Sequence, residues 1–252
     1  MLPSPYDWLI PIVIAPFIGS FLGVLAVRLP AGEDVVTARS RCRHCGHKLR
    51  PWELVPVASW IALAGRCSAC RAPIGSFHPA MELGALLVAV WAAVVTEGAP
   101  LWATIALGWA LLALGAMDVR SLILADVVTL PLTAAGLLVI AVVNSPQIWL
   151  HAAGAMAGFA LMIAVAFAYR KLRGREGLGF GDAKLMAAAG AWTGLEGLGS
   201  VLLYAVASGI AIATLMRMRG ETVGAASEIP FGAGIALGLW LVWLYGPLVL
   251  AA

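Results

Sequence analysis

Ile148-Trp-Leu-His-Ala-Ala-Gly-Ala-Met-Ala-Gly-Phe-Ala-Leu-Met-Ile-Ala-Val-Ala-Phe-Ala-Tyr169 runs without an Asp, Glu, Lys or Arg and stops at Arg170-Lys171-Leu172-Arg173. About twenty such residues in a helix match the ~30 Å hydrocarbon thickness of a bilayer. A basic cluster at the end of an apolar run marks the cytoplasmic side. The rest of the chain repeats the pattern. Hydrophobic residues make up 62% of it and charged residues 12%, and the mean hydropathy is +0.95. Soluble domains carry roughly 25% charged residues, so this surface could not be covered in water.

Apolar stretches near 8–28, 79–95, 101–117, 126–143, 148–169, 183–196, 199–216 and 230–250 read as helices. Lipid leaves backbone groups no other partner than the helix itself. The expected fold is therefore all-α: a polytopic membrane protein of about eight transmembrane helices. The first run lacks a basic segment before it and contains Pro11 and Pro16, so it reads as a retained span and not as a cleaved signal. All sixteen Lys and Arg fall in odd-numbered connections: eight from Arg28 to Arg71, then Arg120, then Arg170, Lys171, Arg173, Arg175 and Lys184, then Arg217 and Arg219. The connections around Glu97, Asn144 and Gly197, and both terminal segments, have none. That bias places the odd connections in the cytoplasm and both termini outside. The net charge of +3 is too weak to imply a nucleic-acid partner. The expected domains are residues 1–28 as a first span, 29–78 as a small cytoplasmic domain, and 79–252 as a membrane core. Gly154, Gly158, Gly232, Gly234 and Gly238 suit close helix packing.

All four cysteines lie in the one large connection, as Cys42-Arg-His-Cys45 and Cys67-Ser-Ala-Cys70. Two Cys-x-x-Cys knuckles 21 residues apart aim four thiolates at one tetrahedral centre, which is a zinc pattern. A reducing cytoplasm argues against disulfides. Four thiolates close the shell, so the metal is structural, and a loop this small needs such a staple to fold. His44 and His47 flank the first knuckle as solvated neighbours or substitute ligands, and His78 and His151 receive no role.

Three acidic residues sit at span boundaries: Asp118 at the end of span three, Asp126 opening span four, and Asp182 in Gly179-Phe-Gly181-Asp182-Ala-Lys184. Helix capping explains Asp126 and Asp182 readily and Asp118 poorly. Carboxylates brought together share a proton, one serving as base on a water while the other polarises a carbonyl. Gly179 and Gly181 let backbone or substrate approach Asp182 closely.

With these motifs in view, the sequence resembles the bacterial type IV prepilin peptidases, also called leader peptidase/N-methyltransferases. Pro16-Phe-Ile-Gly-Ser-Phe-Leu22, Arg28-Leu-Pro30, the two knuckles, Pro51-Trp52, Val55-Pro56, Ser59-Trp60, Gly65-Arg66, Pro79-Ala-Met-Glu82-Leu83, Asp118 to Asp126 with Thr129-Leu-Pro-Leu132, Gly179 to Leu185, and Pro230-Phe-Gly232 carry the likeness in order. Departures at Gly23, Leu54, Phe77-His78 and Ala125 spare the aspartates and cysteines. The resemblance implies a membrane aspartyl protease of the bacterial inner membrane. It would cleave the basic leader of prepilins or pseudopilins after a glycine, for a pilus or secretion machine. Asp118 and Asp182 would form the catalytic pair and Cys42, Cys45, Cys67 and Cys70 the zinc site. Gly179, Gly181, Lys184, Asp126 and Glu82 would support them, and Glu82 or Asp126 could hold the basic leader by charge. Methylation of the new N-terminus would use S-adenosylmethionine, although no glycine-rich nucleotide loop marks a site for it. A peptidase without methyltransferase activity, a transporter with a zinc-stapled loop and a non-catalytic assembly protein are the competing readings.

Overall fold

The computed structural model describes residues 8–96, 100–174, 177–221, 224 and 228–248. The terminal segments, the connection around Glu97, Arg175 and the end of the last expected span lie outside the described residues. Among the described residues the architecture is all-helical, with two isolated β-bridges as its only strand-like pairing. Six helices among the described residues are long and apolar enough to cross a membrane. The chain divides into two compact units, Met1–Ala113 and Leu114–Ala252.

In the first unit, α1 (Leu9–Arg28) packs on α3 (Phe77–Val95). Glycines make that approach possible: a Cβ on Gly19 would lie 2.5 Å from the Met81 carbonyl oxygen, and one on Gly23 would lie 2.8 Å from His78 Nδ1. Arg28 closes α1 and its guanidinium donates to the carbonyls of Asp34 and Ala38 at 2.9 and 2.7 Å, which fixes the exit of the chain. The short helix α2 (Ala58–Ala62) belongs to the cysteine-bearing segment between α1 and α3. Trp109, on α4 (Leu101–Ser121), donates its indole N–H to the Ala85 carbonyl of α3 at 3.0 Å.

The second unit holds α5 (Asp126–Val143), α6 (Ile148–Arg173), α7 (Phe180–Met218) and α8 (Phe231–Tyr245). The α4 helix runs four residues beyond the expected end, so Asp118 sits within its last turn instead of closing it. A second difference is larger. Helices expected near 183–196 and 199–216, with a connection at Gly197, are one helical element interrupted only at Gly194. Its φ of 71° and ψ of −176° belong to a region that glycine alone occupies readily. Straight, the 39 residues of α7 would span ~58 Å. They do not run straight. A Cβ on Gly158 would lie 2.5 Å from the Met186 carbonyl and 3.1 Å from Leu198 Cδ2. Twelve residues of straight helix would separate those two positions by ~18 Å. The element therefore folds back sharply at Gly194, and both arms lie against α6.

Backbone meets backbone along that seam. A Cβ on Gly190 would fall 2.2 Å from the Gly154 carbonyl, and one on Gly154 would fall 2.8 Å from the Gly190 oxygen. His151, buried, donates from Nδ1 to the Ala191 carbonyl at 3.0 Å beside the break. Trp192 lies over Gly136 of α5 and donates Nε1–H to the Leu132 carbonyl at 2.8 Å. Introducing a methyl at this seam should destabilise by about 1–3 kcal/mol. Gly190→Ala is expected to lower the unfolding temperature in detergent. Gly199→Ala, whose Cβ meets nothing within 4 Å, should not. Equal losses at the two positions would argue against close approach as the reason for Gly190.

Candidate functional site

The two cysteine knuckles are built alike. Cys42 N–H donates to His47 C=O and Gly46 N–H to Cys42 C=O; Cys67 N–H donates to Ala72 C=O and Arg71 N–H to Cys67 C=O, all at 2.9–3.0 Å. The turn-closing positions, Gly46 and Arg71, have φ of 73° and 60°. Bridges Arg41–Lys48 and Arg66–Pro73 zip each knuckle shut. All four sulfurs lie within 4.8 Å of one another, with Cys42–Cys70 at 3.9 Å and Cys45–Cys67 at 4.0 Å. Four ligands at ~2.3 Å from a tetrahedral zinc stand ~3.8 Å apart, so the donor set fits that ion. Backbone N–H groups of Cys45 and His44 lower the Cys42 thiol to about 6. Cys70 is pushed up to about 11, as burial and the neighbouring sulfurs outweigh the Ala72 N–H. Four sulfurs this close need a cation to ionise together. Cys67 is 1% exposed, so Cys67→Ser should drop bound metal from near one equivalent to below about half. Undiminished metal in the purified variant would rule out a four-thiolate centre.

In the second unit, Asp118 and Asp182 are both buried. Asp118 comes from the last turn of α4. Its Oδ2 accepts the Ala233 N–H at 2.8 Å, and the Gly232 N–H also bonds it, so this carboxylate caps the N-terminus of α8. Helix N-termini carry unpaired N–H groups and partial positive charge, and an anion fits there. Asp182 comes from the first turn of α7 and accepts the Gly179 N–H on Oδ2 at 3.1 Å. That bond is the capping interaction expected of an aspartate three residues into a helix.

Leu124 joins the two surroundings. A Cβ on Gly181 would lie 3.0 Å from Leu124 Cβ, and one on Gly232 would lie 2.8 Å from Leu124 Cδ1 and 3.0 Å from Asp118 Oδ2. Glycines at 181 and 232 thus make room for one leucine between the aspartate-bearing segments. Leu124, Gly232 and Ala233 did not emerge from sequence as site residues. Their signal was faint: a Pro-Phe-Gly opening on a short last apolar run, and a leucine before Ala125-Asp126.

The supporting residues divide. Lys184 Nζ lies 2.6 Å from both oxygens of Asp126 and 4.8 Å from the Phe180 ring centroid, clamping the start of α5 to the start of α7. Glu82 is in the other unit, 6% exposed, and accepts the Val57 N–H at 2.7 Å. Val57 has φ 59°, an uncommon conformation for a β-branched residue, and the Glu82 bond anchors that strained turn. His47 faces Glu53 at 3.4 Å, beside the cluster and not in it.

These features define a helical, multi-pass membrane protein with a four-sulfur cluster and two buried carboxylates at helix ends. A family profile described as the bacterial peptidase A24 N-terminal domain matches residues 13–96, and that of the type IV leader peptidase family matches residues 105–214. A relative from Burkholderia pseudomallei (strain 1026b), named prepilin leader peptidase/N-methyltransferase, is 38% identical over 94% of this chain and 85% of its own length. Relatives of the same name from Aeromonas hydrophila and Pseudomonas aeruginosa are 36% and 32% identical, over 91% and 93% of this chain and 87% and 89% of their own lengths. No solved structure matches the chain significantly. The chain belongs to the type IV leader peptidase family.

Proposed function

We propose that this protein removes the basic leader from prepilins or pseudopilins by aspartate-dyad hydrolysis, and then methylates the new N-terminus. The observation that carries the reading is the pair of buried carboxylates, Asp118 and Asp182, each accepting a backbone N–H at a helix start, with Leu124 filling the notches at Gly181 and Gly232 beside them. The family and the shared name of its relatives, which couples peptidase with N-methyltransferase, favour two activities over a peptidase alone.

In the proposed reaction one carboxylate takes a proton from water as its oxygen attacks the scissile carbonyl carbon. The protonated partner donates to the carbonyl oxygen. The tetrahedral gem-diol collapses as the first group gives its proton to the departing nitrogen and one hydroxyl returns a proton to the partner carboxylate, which restores the dyad. The products are a leader carboxylate and a free amine. Backbone N–H bonds to Asp118 and Asp182 fix the carboxyl planes before substrate arrives, and so reduce the reorganisation the reaction needs. The methyl donor is S-adenosylmethionine, which supplies an electrophilic methyl group. The accepting amine is the one that hydrolysis releases.

Zinc at Cys42, Cys45, Cys67 and Cys70 has a structural role in this reading. Residues 1–28 form a first span, 29–78 a cytoplasmic domain and 79–252 the membrane core. Counting the two arms of α7 separately and including α8 gives eight spans, with both termini outside and the aspartates at the cytoplasmic boundary of the inner membrane. The one-sided distribution of Lys and Arg supports that orientation. Gly179 and Gly181, with no side chains, let a substrate backbone come close to Asp182. Lys184 and Asp126 secure the helix ends that carry the site.

Co-expression with a prepilin tests the reading. Asp118→Asn and Asp182→Asn should each reduce leader removal by about a hundredfold or more, seen as retention of the longer pilin on a gel. Processing at the normal rate by both variants would refute it. Mass spectrometry of the mature N-terminus should find one added methyl group, and an unmodified product would leave a peptidase alone.

A further inference from the structure

The segment between α1 and α3 carries a surface that neither the sulfur cluster nor the aspartates use. Trp52, Leu54, Val55 and Ile61 fall within ten residues of sequence. All four are exposed, Trp52 at 63% and Ile61 at 64%. Trp52 and Leu54 belong to the 3₁₀ turn Pro51–Leu54, which packs on α2, the helix that carries Ile61. Single apolar side chains scattered over a surface are ordinary. Here they are gathered on two short elements in contact, and the Arg50 guanidinium stands 5.4 Å from the Trp52 ring centroid. Charge in the same segment is one-sided. From Arg28 to Arg71 there are eight Lys and Arg against three acids, Glu33, Asp34 and Glu53, a net of +5. Every one of the eight except Arg28 is exposed. Glu53 turns its carboxylate inward, where it accepts the Arg50 N–H at 2.7 Å and its side chain is 5% exposed.

A hydrogen bond fixes the height of this surface. Glu82 accepts the N–H of Val57, which lies between Val55 and Ile61, at 2.7 Å. The 19 residues of α3 make a helix ~28 Å long, close to the ~30 Å hydrocarbon layer. Glu82 lies in the second turn of α3, ~8 Å from its start. The bond therefore holds the apolar turn at the edge of the bilayer. Tryptophan settles at headgroup level there, and clustered Lys and Arg are drawn to anionic lipid. A basic leader peptide meets charge of its own sign on this surface, which removes it as the occupant. We infer that Trp52, Leu54, Val55 and Ile61, with the basic residues around them, dock on the headgroup surface of anionic phospholipid and hold the cysteine-bearing segment against the membrane.

The test is hydrogen–deuterium exchange of the full-length, zinc-loaded protein, one copy per nanodisc, with metal content measured on every sample. The discs contain phosphatidylcholine alone or with about 30% phosphatidylglycerol. Backbone amides of residues 52–62 should exchange about tenfold more slowly in the anionic discs. Raising salt from about 50 to 500 mM should remove most of that difference. Trp52→Ser combined with Ile61→Ser should exchange in anionic discs as fast as wild type does in neutral ones, with its metal retained. Equal exchange of wild type in both lipids would overturn the inference: slow in both, the face is covered by the protein itself; fast in both, it is free. Protection that needs two copies in one disc would make it an interface between copies and would also overturn it. So would full protection in the double variant, or loss of its metal, which would mark the two side chains as structural.

Discussion

Backbone groups inside a bilayer have no water to bond, and at several places in this chain a side chain supplies the partner. His151 bonds the Ala191 carbonyl beside the break at Gly194, and Trp192 adds a bond from α7 to the Leu132 carbonyl of α5. Ser200 accepts the N–H of Leu248 beyond the end of α8. The two buried aspartates obey the same constraint, since their partners are the unpaired N–H groups of helix starts. Among the described residues no buried side-chain nitrogen or oxygen lacks a partner. The carboxylates thus complete the fold as well as carrying the proposed chemistry. Capping a helix start and holding a carboxyl group ready for a substrate ask for the same placement, and one geometry serves both.

Much of the helical layout was legible because its signals are local. The edges of α1, α3 and α5 follow hydropathy and nearby Pro, Asn or basic residues, and they fall within two residues of expectation. The cysteine cluster was equally legible, since each knuckle is a six-residue turn whose ligand spacing is its own geometry. The sharp return in α7 was not. Composition favours a connection among Gly197, Leu198 and Gly199, but the chain turns at Gly194 because α6 presents His151 and Gly154 there. Only the partner helix selects which glycine bends.

The aspartates illustrate the same limit. Asp118 and Asp182 were visible as charges at apolar boundaries. The groups that hold Asp118 were not, because Ala233 is 115 residues away and contributes only a backbone N–H. A leucine filling two glycine notches has no signature in a single sequence. Glu82 was visible as an acid near a span start, but its partner is the amide of a strained valine. In each case the recognised atom belongs to the main chain, which every residue type carries alike.

The return at Gly194 has a practical consequence. Because one residue makes the reversal and Gly190, Gly194 and Leu195 are all pressed against Gly154, the hairpin has no loop to spare. A reporter tag or protease site inserted there would pry two helices from a third and would report the damage rather than the side of the membrane. Mapping the orientation of this chain is better done at the exposed residues after Arg28, such as Gly32, where a Cβ would meet nothing within 4 Å.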